Sequence, residues 1–354
     1  MSSANERPIM TPSDQDVFDR ELADFIPERV FDAHAHMTHP KFFTFDCDGT
    51  LPNSLDVEGF RRYSGILHPK RQLGGLFLIY VDPDGDATLR IRSQTADQVT
   101  TQRRGANPID AFANQWCAER IRGEPNCRGL MFVAPTEEPD FVRQEVQRLG
   151  LHGFKVYHNR VPQMPTFEAD IPQYLPPWLV EIAHEQELAI TLHMVKSRGV
   201  ADPSNIHWIR HYCQTYPKMK LILAHSARGF QPQHNLEGLP QLRGLENLYF
   251  DSSANCSALA HQAIIRTFGH GKLMYGSDFP ISHIRGTNFG AGDGFIWIDP
   301  TSSHWNSPPG RIEPLLIGIE HLRSVKYACW SERLSDRQVE DIFWNNAAEL
   351  FGLP

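Results

Sequence analysis

Eight short runs rich in β-branched and aromatic residues recur along the chain, several of them bounded by Gly, Pro, Asp or Asn. They are residues 30–36 (VFDAHAH), 75–82 (GLFLIYVD), 129–135 (GLMFVAP), 153–158 (GFKVYH), 188–194 (LAITLHM), 221–226 (LILAHS), 248–253 (LYFDSS) and 273–278 (LMYGSD). Several intervening segments carry a helical period: Ile109, Phe112, Ala113, Trp116 and Ile121 share one face, as do Val142, Val146 and Leu149, and Ile206, Ile209 and Cys213. Continuously apolar strands alternating with helices indicate a parallel sheet covered on both sides. A count of eight favours a closed α/β barrel, the (β/α)8 or TIM barrel, over an open doubly wound sheet. With 354 residues the chain suits one such barrel. We expect an N-terminal extension over residues 1–28 and a single barrel domain over 29–354. Ser335 and Gln338 form a capping-box signature at the start of a final helix.

Three stretches exceed simple connections: 38–73, 84–106 and 284–312. Each follows the C-terminal end of a strand, where barrel enzymes build their sites. They therefore read as long insertions at that rim. The third carries Phe295, Trp297 and Trp305 among glycines and prolines, and reads either as a lid or as a surface or oligomer-contact loop. The formal net charge of −8 provides no basic face for nucleic acid. No run reaches the roughly 18 apolar residues of a membrane span. Six cysteines without close pairing fit reduced thiols rather than a disulfide framework. The expectation is a cytoplasmic protein with a small-molecule partner, self-association being left open.

His34 and His36, two apart on the first strand, point to one face, which in a barrel is the interior. His193, His225 and Asp278 end the fifth, sixth and eighth runs. Four imidazoles and a carboxylate converging on one rim of an apolar tube would be costly to bury alone, and a divalent cation with water offsets that cost. By pleat parity Asp32 faces the same side as His34 and His36, as a hydrogen-bond partner for a ligand imidazole.

These residues resemble the amidohydrolase superfamily, and within it the amidohydrolase-2 (ACMSD-like) branch. The resemblance rests on Asp32-Ala-His34-Ala-His36, Gly153-Phe-Lys155, His193 in Leu-His-Met, His225 in Ala-His-Ser, Ser277-Asp278-Phe-Pro280 and the closing Asn345-Asn346-Ala-Ala-Glu-Leu-Phe-Gly. It spans about residues 29–353. It implies that His34, His36, His193 and Asp278 hold a divalent metal, Zn²⁺ first and Mn²⁺ second. It also implies that Asp278 takes the proton of a metal-activated water and that His225 polarises the substrate or acts as acid and base. Lys155 has three readings: a carbamylated bridge between two ions, a substrate-binding cation, or a buried lysine paired with a carboxylate. One ion is expected, two if Lys155 is carbamylated.

His158 is a further candidate for the pocket. Arg160, Arg198, Arg228 and Arg285 each follow a strand end and are candidates to bind an anionic substrate, because a guanidinium grips a carboxylate with a two-pronged fork. The favoured function is metal-dependent hydrolysis of a carbonyl in a small lactone, amide or related ring that bears a carboxylate. The alternative is non-oxidative decarboxylation of an aromatic or enol acid. The string Phe45-Asp46-Cys47-Asp48-Gly49-Thr50-Leu51 resembles a haloacid dehalogenase-type phosphatase motif, a distant alternative without the required doubly wound sheet. A metal-binding module without catalysis is a third class.

Overall fold

The computed structural model describes residues 9–45, 50–81, 88–89, 107–161, 165–306 and 312–354. Its strands are β1 (Arg29–His36), β2 (Gln72–Leu78), β3 (Cys127–Gly129, continuing as Met131–Phe132), β4 (Gly153–Val156), β5 (Ala189–Leu192), β6 (Lys220–Leu223), β7 (Leu248–Asp251) and β8 (Leu273–Met274). All neighbouring pairs from β1 to β8 are parallel. Leu130 lets β3 serve two partners, since its N–H bonds to Phe77 O at 2.9 Å while Val133 N–H bonds to Lys155 O at 3.2 Å.

The circle closes just beyond β8. Ala33 N–H bonds to Tyr275 O at 2.8 Å, Asp278 N–H to His34 O at 2.8 Å and His36 N–H to Phe279 O at 2.7 Å. The chain is thus the (β/α)8 barrel that the alternation of its runs predicts.

A helix follows each strand: α1 (Val57–Leu67), α2 (Pro108–Ile121), α3 (Pro139–Leu149), α4 (Pro177–Glu185), α5 (Pro203–Thr215), α6 (Pro232–Gly238), α7 (Ala258–Phe268) and α8 (Ile317–Ser331). Five of the eight start on proline, whose missing N–H and fixed φ suit the first turn. Side-chain caps add to this, as where Asp202 accepts from Ser204 N–H at 2.9 Å. Phe154, Val156, Ile190 and Leu192 face the helices. Phe31, Leu76, Leu78, Leu130, Ile222 and Met274 fill the interior with Trp344 and Leu350. The C-terminal segment therefore plugs the end of the barrel opposite the site, with Trp344 edge-on to Phe31 at 6.2 Å. The capping box at Ser335 and Gln338 forms as its spacing predicts.

Several boundaries differ from the sequence reading. Residues 193–194 and 224–226 leave the sheet instead of extending it, and 275–278 reach β1 outside a regular strand, so His193, His225 and Asp278 sit just past their strands. Within residues 38–73 the chain forms α1 itself, the first crossover helix. Within 284–312 it forms a hairpin of β9 (Thr287–Ala291) and β10 (Gly294–Ile298). The predicted 84–106 insertion lies outside the described residues apart from the backbone of 88–89, as do Asp46, Cys47, Asp48 and Gly49 of the phosphatase-like string. The doubly wound sheet that string requires is replaced by the barrel. Residues 9–28 pack onto the barrel: Phe18, Leu22 and Ile26 join its core. No helix among the described residues is long and apolar enough to cross a membrane.

Candidate active site

β1 changes register between Asp32 and Ala35 where it pairs with β2. Ala33 belongs to the interior cluster and Ala35 to the outer one, so the irregularity turns both His34 and His36 inward. β8 must pass close to this point. A Cβ at Gly276 would stand 2.9 Å from the His34 Cβ, which only glycine avoids.

His34 Nε2 then lies 3.4 Å from Asp278 Oδ1, and His36 Nε2 lies 3.2 Å from the same oxygen. All three side chains are buried. The other face of the His34 ring meets β7: Nδ1 is 2.9 Å from Asp251 Oδ2. Burial holds the His34 imidazole down at about 4 against the pull of Asp251, so the ring is neutral and its one proton sits on Nδ1. Its Nε2 carries a lone pair, has no hydrogen-bond partner among the described residues, and faces the lone pairs of a carboxylate. Burial alone would raise Asp278, but the His36 imidazole hydrogen-bonded to it leads the groups that hold it down at about 2, so that carboxylate is charged. Lone pairs facing each other repel unless a cation lies between them. Two imidazoles and a carboxylate are also a donor set that Zn²⁺ and Mn²⁺ accept. His34, His36 and Asp278 could thus hold a metal ion.

Asp251 anchors the second layer. Its Oδ1 accepts from His225 N–H at 3.0 Å, Ser253 N–H at 3.1 Å and Ser253 Oγ at 2.5 Å. Burial would push this carboxyl up, but His34 and these donors outweigh it and hold it well below the usual range. Asp32 does not serve the imidazole as pleat parity suggests. It accepts from the backbone N–H of His34 and from both the N–H and the hydroxyl of Ser277, tying the ends of β1 and β8 together.

His225 Nδ1 is 3.1 Å from Ser253 O, an acceptor only, so this nitrogen carries the proton. His225 Nε2 therefore accepts from His193 Nδ1 at 3.1 Å, leaving His193 Nε2 bare. His193 stands outside the compact group of His34, His36 and Asp278, linked to it through His225. His225 does not end a strand. With Ser226, Ala227 and Arg228 it forms a turn of left-handed helix, at φ of 57°, 52°, 58° and 56°. L residues resist this conformation by roughly 1–2 kcal/mol each.

Lys155 is fully buried, its Nζ 4.8 Å from the centre of the Tyr157 ring and without a hydrogen-bond partner among the described residues. Burial lowers its pKa to about 8 against the pull of Asp251 and Asp278. Among the described residues no carboxylate pairs with it, as one of the three sequence readings required. His158 lies behind His193, ring centres 6.2 Å apart, bonded through Nδ1 to Thr166 Oγ1 at 2.9 Å.

The four arginines separate clearly. Arg160 pairs with Asp110 at 3.0 Å. Arg198 is shared by Glu237 and Asp293. Arg285 pairs with Asp14 at 2.7 Å and bonds to Ile9 O, fastening the N-terminal segment. Arg228 has no carboxylate partner among the described residues. Its guanidinium lies between Phe167 and Phe295, 5.3 and 5.5 Å from their ring centres, and its buried Nε has no acceptor. Phe295 belongs to β10 and packs on Phe230 at 4.8 Å, so the hairpin forms one wall of the site.

Asp251 and Ser253 escaped the sequence reading. Their signal was a lone aspartate closing an otherwise apolar strand run, the same signal that singled out Asp278.

The sequence matches the amidohydrolase family model over residues 31–353. The chain belongs to the amidohydrolase family. None of the curated proteins matches it in sequence. Among solved structures, this amidohydrolase fold is similar to an amidohydrolase from Burkholderia multivorans with bound zinc, with a TM-score of 0.52 and 13% identity over 92% of this chain and 99% of that one. It is also similar to a candidate 2-pyrone-4,6-dicarboxylic acid hydrolase from Pseudomonas putida, with a TM-score of 0.52 and 17% identity over 93% of this chain and 99% of that one. An amidohydrolase from Staphylococcus aureus, a candidate by name, gives 0.53 and 15% identity over 92% and 100%.

Proposed function

We propose that this amidohydrolase-family chain is a metal-dependent hydrolase acting on the carbonyl of a small lactone, amide or related ring that bears a carboxylate. The observation that carries the reading is the convergence of His34 Nε2 and His36 Nε2 on Asp278 Oδ1, with Asp251 holding the His34 proton on the far nitrogen. A single divalent cation, Zn²⁺ first and Mn²⁺ second, would polarise the carbonyl and bring the pKa of water from about 15.7 to about 7. Asp278 would accept a proton from the attacking water at its carboxylate. His225 and His193 form a hydrogen-bonded pair beside it, able to pass a proton toward the leaving group. Lys155, fully buried, and Arg228, both without a carboxylate partner among the described residues, are the cations that would face an anionic substrate, and Arg228 offers the fork geometry a carboxylate fits.

Decarboxylation of an aromatic acid is favoured by one observation: the Lys155 ammonium has no acceptor among the described residues and could deliver the proton that replaces CO₂. The name of the Pseudomonas putida neighbour provides the first compound to try, 2-pyrone-4,6-dicarboxylic acid, a cyclic ester with two carboxyl groups. The protein should be incubated with that compound, with other lactones and with hydroxylated benzoic acids, while acid release and CO₂ are followed together. Acid release from a lactone without CO₂ supports the hydrolase. CO₂ from the benzoic acids moves the chain to the lyase reading, and turnover of neither class overturns both.

A further inference from the structure

The left-handed turn after β6 sets the direction of two side chains at once. Gly229 N–H closes it on His225 O at 2.9 Å. Residues three apart in a helical turn share a face, and both partners bear this out: His225 reaches His193, while Arg228 donates to Met194 O at 3.2 Å. Ser226 is fully buried, and its hydroxyl meets His261 of α7. None of these residues is glycine, so the conformation depends on what grips it.

Behind the barrel wall, His261 of α7 grips it twice. Its Nε2 lies 3.1 Å from Asn255 O, an acceptor only, so Nε2 carries the proton and Nδ1 accepts from Ser226 Oγ at 2.7 Å. Asn255 in turn donates its side-chain amide to His225 O at 3.3 Å. One imidazole thus reaches the turn through Ser226 and again through Asn255. Asn235 adds a bond to Ser226 O at 2.8 Å, in space that a Cβ on Gly229 would fill. His261, Ser226, Asn235 and Asn255 are all fully buried, and none of these four bonds is made to His34, His36 or Asp278.

We propose that His261 is a positioning residue: it locks the left-handed turn and so fixes His225 and Arg228 relative to the candidate metal site. The functional part of this rests on the reading of His225 and Arg228 given above; the locking itself does not.

Hydrogen exchange read by mass spectrometry on the full chain tests the lock in wild type, Ser226→Ala and His261→Phe, the serine variant serving if the histidine variant does not fold. Amides 225–229 should exchange at least about tenfold faster in the variants, with the barrel strands within about twofold of wild type. Unchanged exchange at 225–229, or an acceleration spread evenly over the barrel, overturns the proposal. A second arm measures equilibrium binding of isophthalate as the dicarboxylate probe. Ser226→Ala should weaken it about tenfold in wild type and have no effect in an Arg228→Ala background, whereas additive losses in the two backgrounds overturn the link from His261 to Arg228. If Arg228→Ala alone leaves isophthalate binding unchanged, the reading of Arg228 fails, and the exchange data still judge the lock.

Discussion

His34 Nδ1 lies 2.9 Å from Asp251 Oδ2, and this single bond decides which nitrogen of His34 faces the site. A neutral imidazole carries one proton. With that proton held by Asp251, Nε2 is left bare toward Asp278, the state a metal ligand requires. Asp251 comes from β7 and His34 from β1, two strands that are not neighbours in the barrel, so the site depends on the barrel being closed.

Asp251→Asn should keep the fold and lower affinity for a divalent ion about 10–100-fold, the usual effect of removing a partner that orients a ligand. A competing chelator titrated against Zn²⁺-loaded protein measures this. An unchanged affinity would remove Asp251 from the centre.

Asp278→Asn should retain the fold, and with Zn²⁺ supplied in excess to keep it loaded its turnover should still fall at least about 10²-fold, the low end for a general base. Near-normal turnover would end its role as base.

Arg228 remains charged at neutral pH, although burial pulls it down to about 10. Arg228→Lys keeps charge but loses the fork, so KM for a carboxylate substrate should rise about tenfold or more with kcat little altered. A fall in kcat at constant KM would instead place Arg228 in the chemical step.

Three buried histidines outside the centre give a pH dependence of stability. Burial holds His68, His261 and His283 at about 4, below the usual 6.5. Between those values the unfolded chain binds protons that the folded chain does not, so stability is full above about pH 6.5 and declines as pH falls toward 4. The thermal midpoint followed by calorimetry should be level from about pH 8 to about pH 7 and drop steadily below about pH 6. A midpoint that rises on acidification contradicts this.

The barrel was legible because its strands are buried on both faces and read as apolar runs. His34 and His36 were legible because a period of two puts them on one face, even though the register change in β1 is what turns that face inward. The arginines were not separable in sequence, since Asp14, Asp110 and Asp293 meet Arg285, Arg160 and Arg198 only through tertiary contacts. The left-handed turn at His225 carries no glycine to announce it. His261 likewise gave no sign, because its partners lie six and more residues away in sequence.

The central claim is that His34, His36 and Asp278 bind a metal ion. Elemental analysis of the protein purified without added metal or chelator, beside a His36→Asn variant prepared in the same way, tests it most directly. The expected result is about one divalent ion per chain in the wild type and less than about a tenth of that in the variant. A wild-type chain without divalent metal, or a variant that holds as much as the wild type, would contradict it.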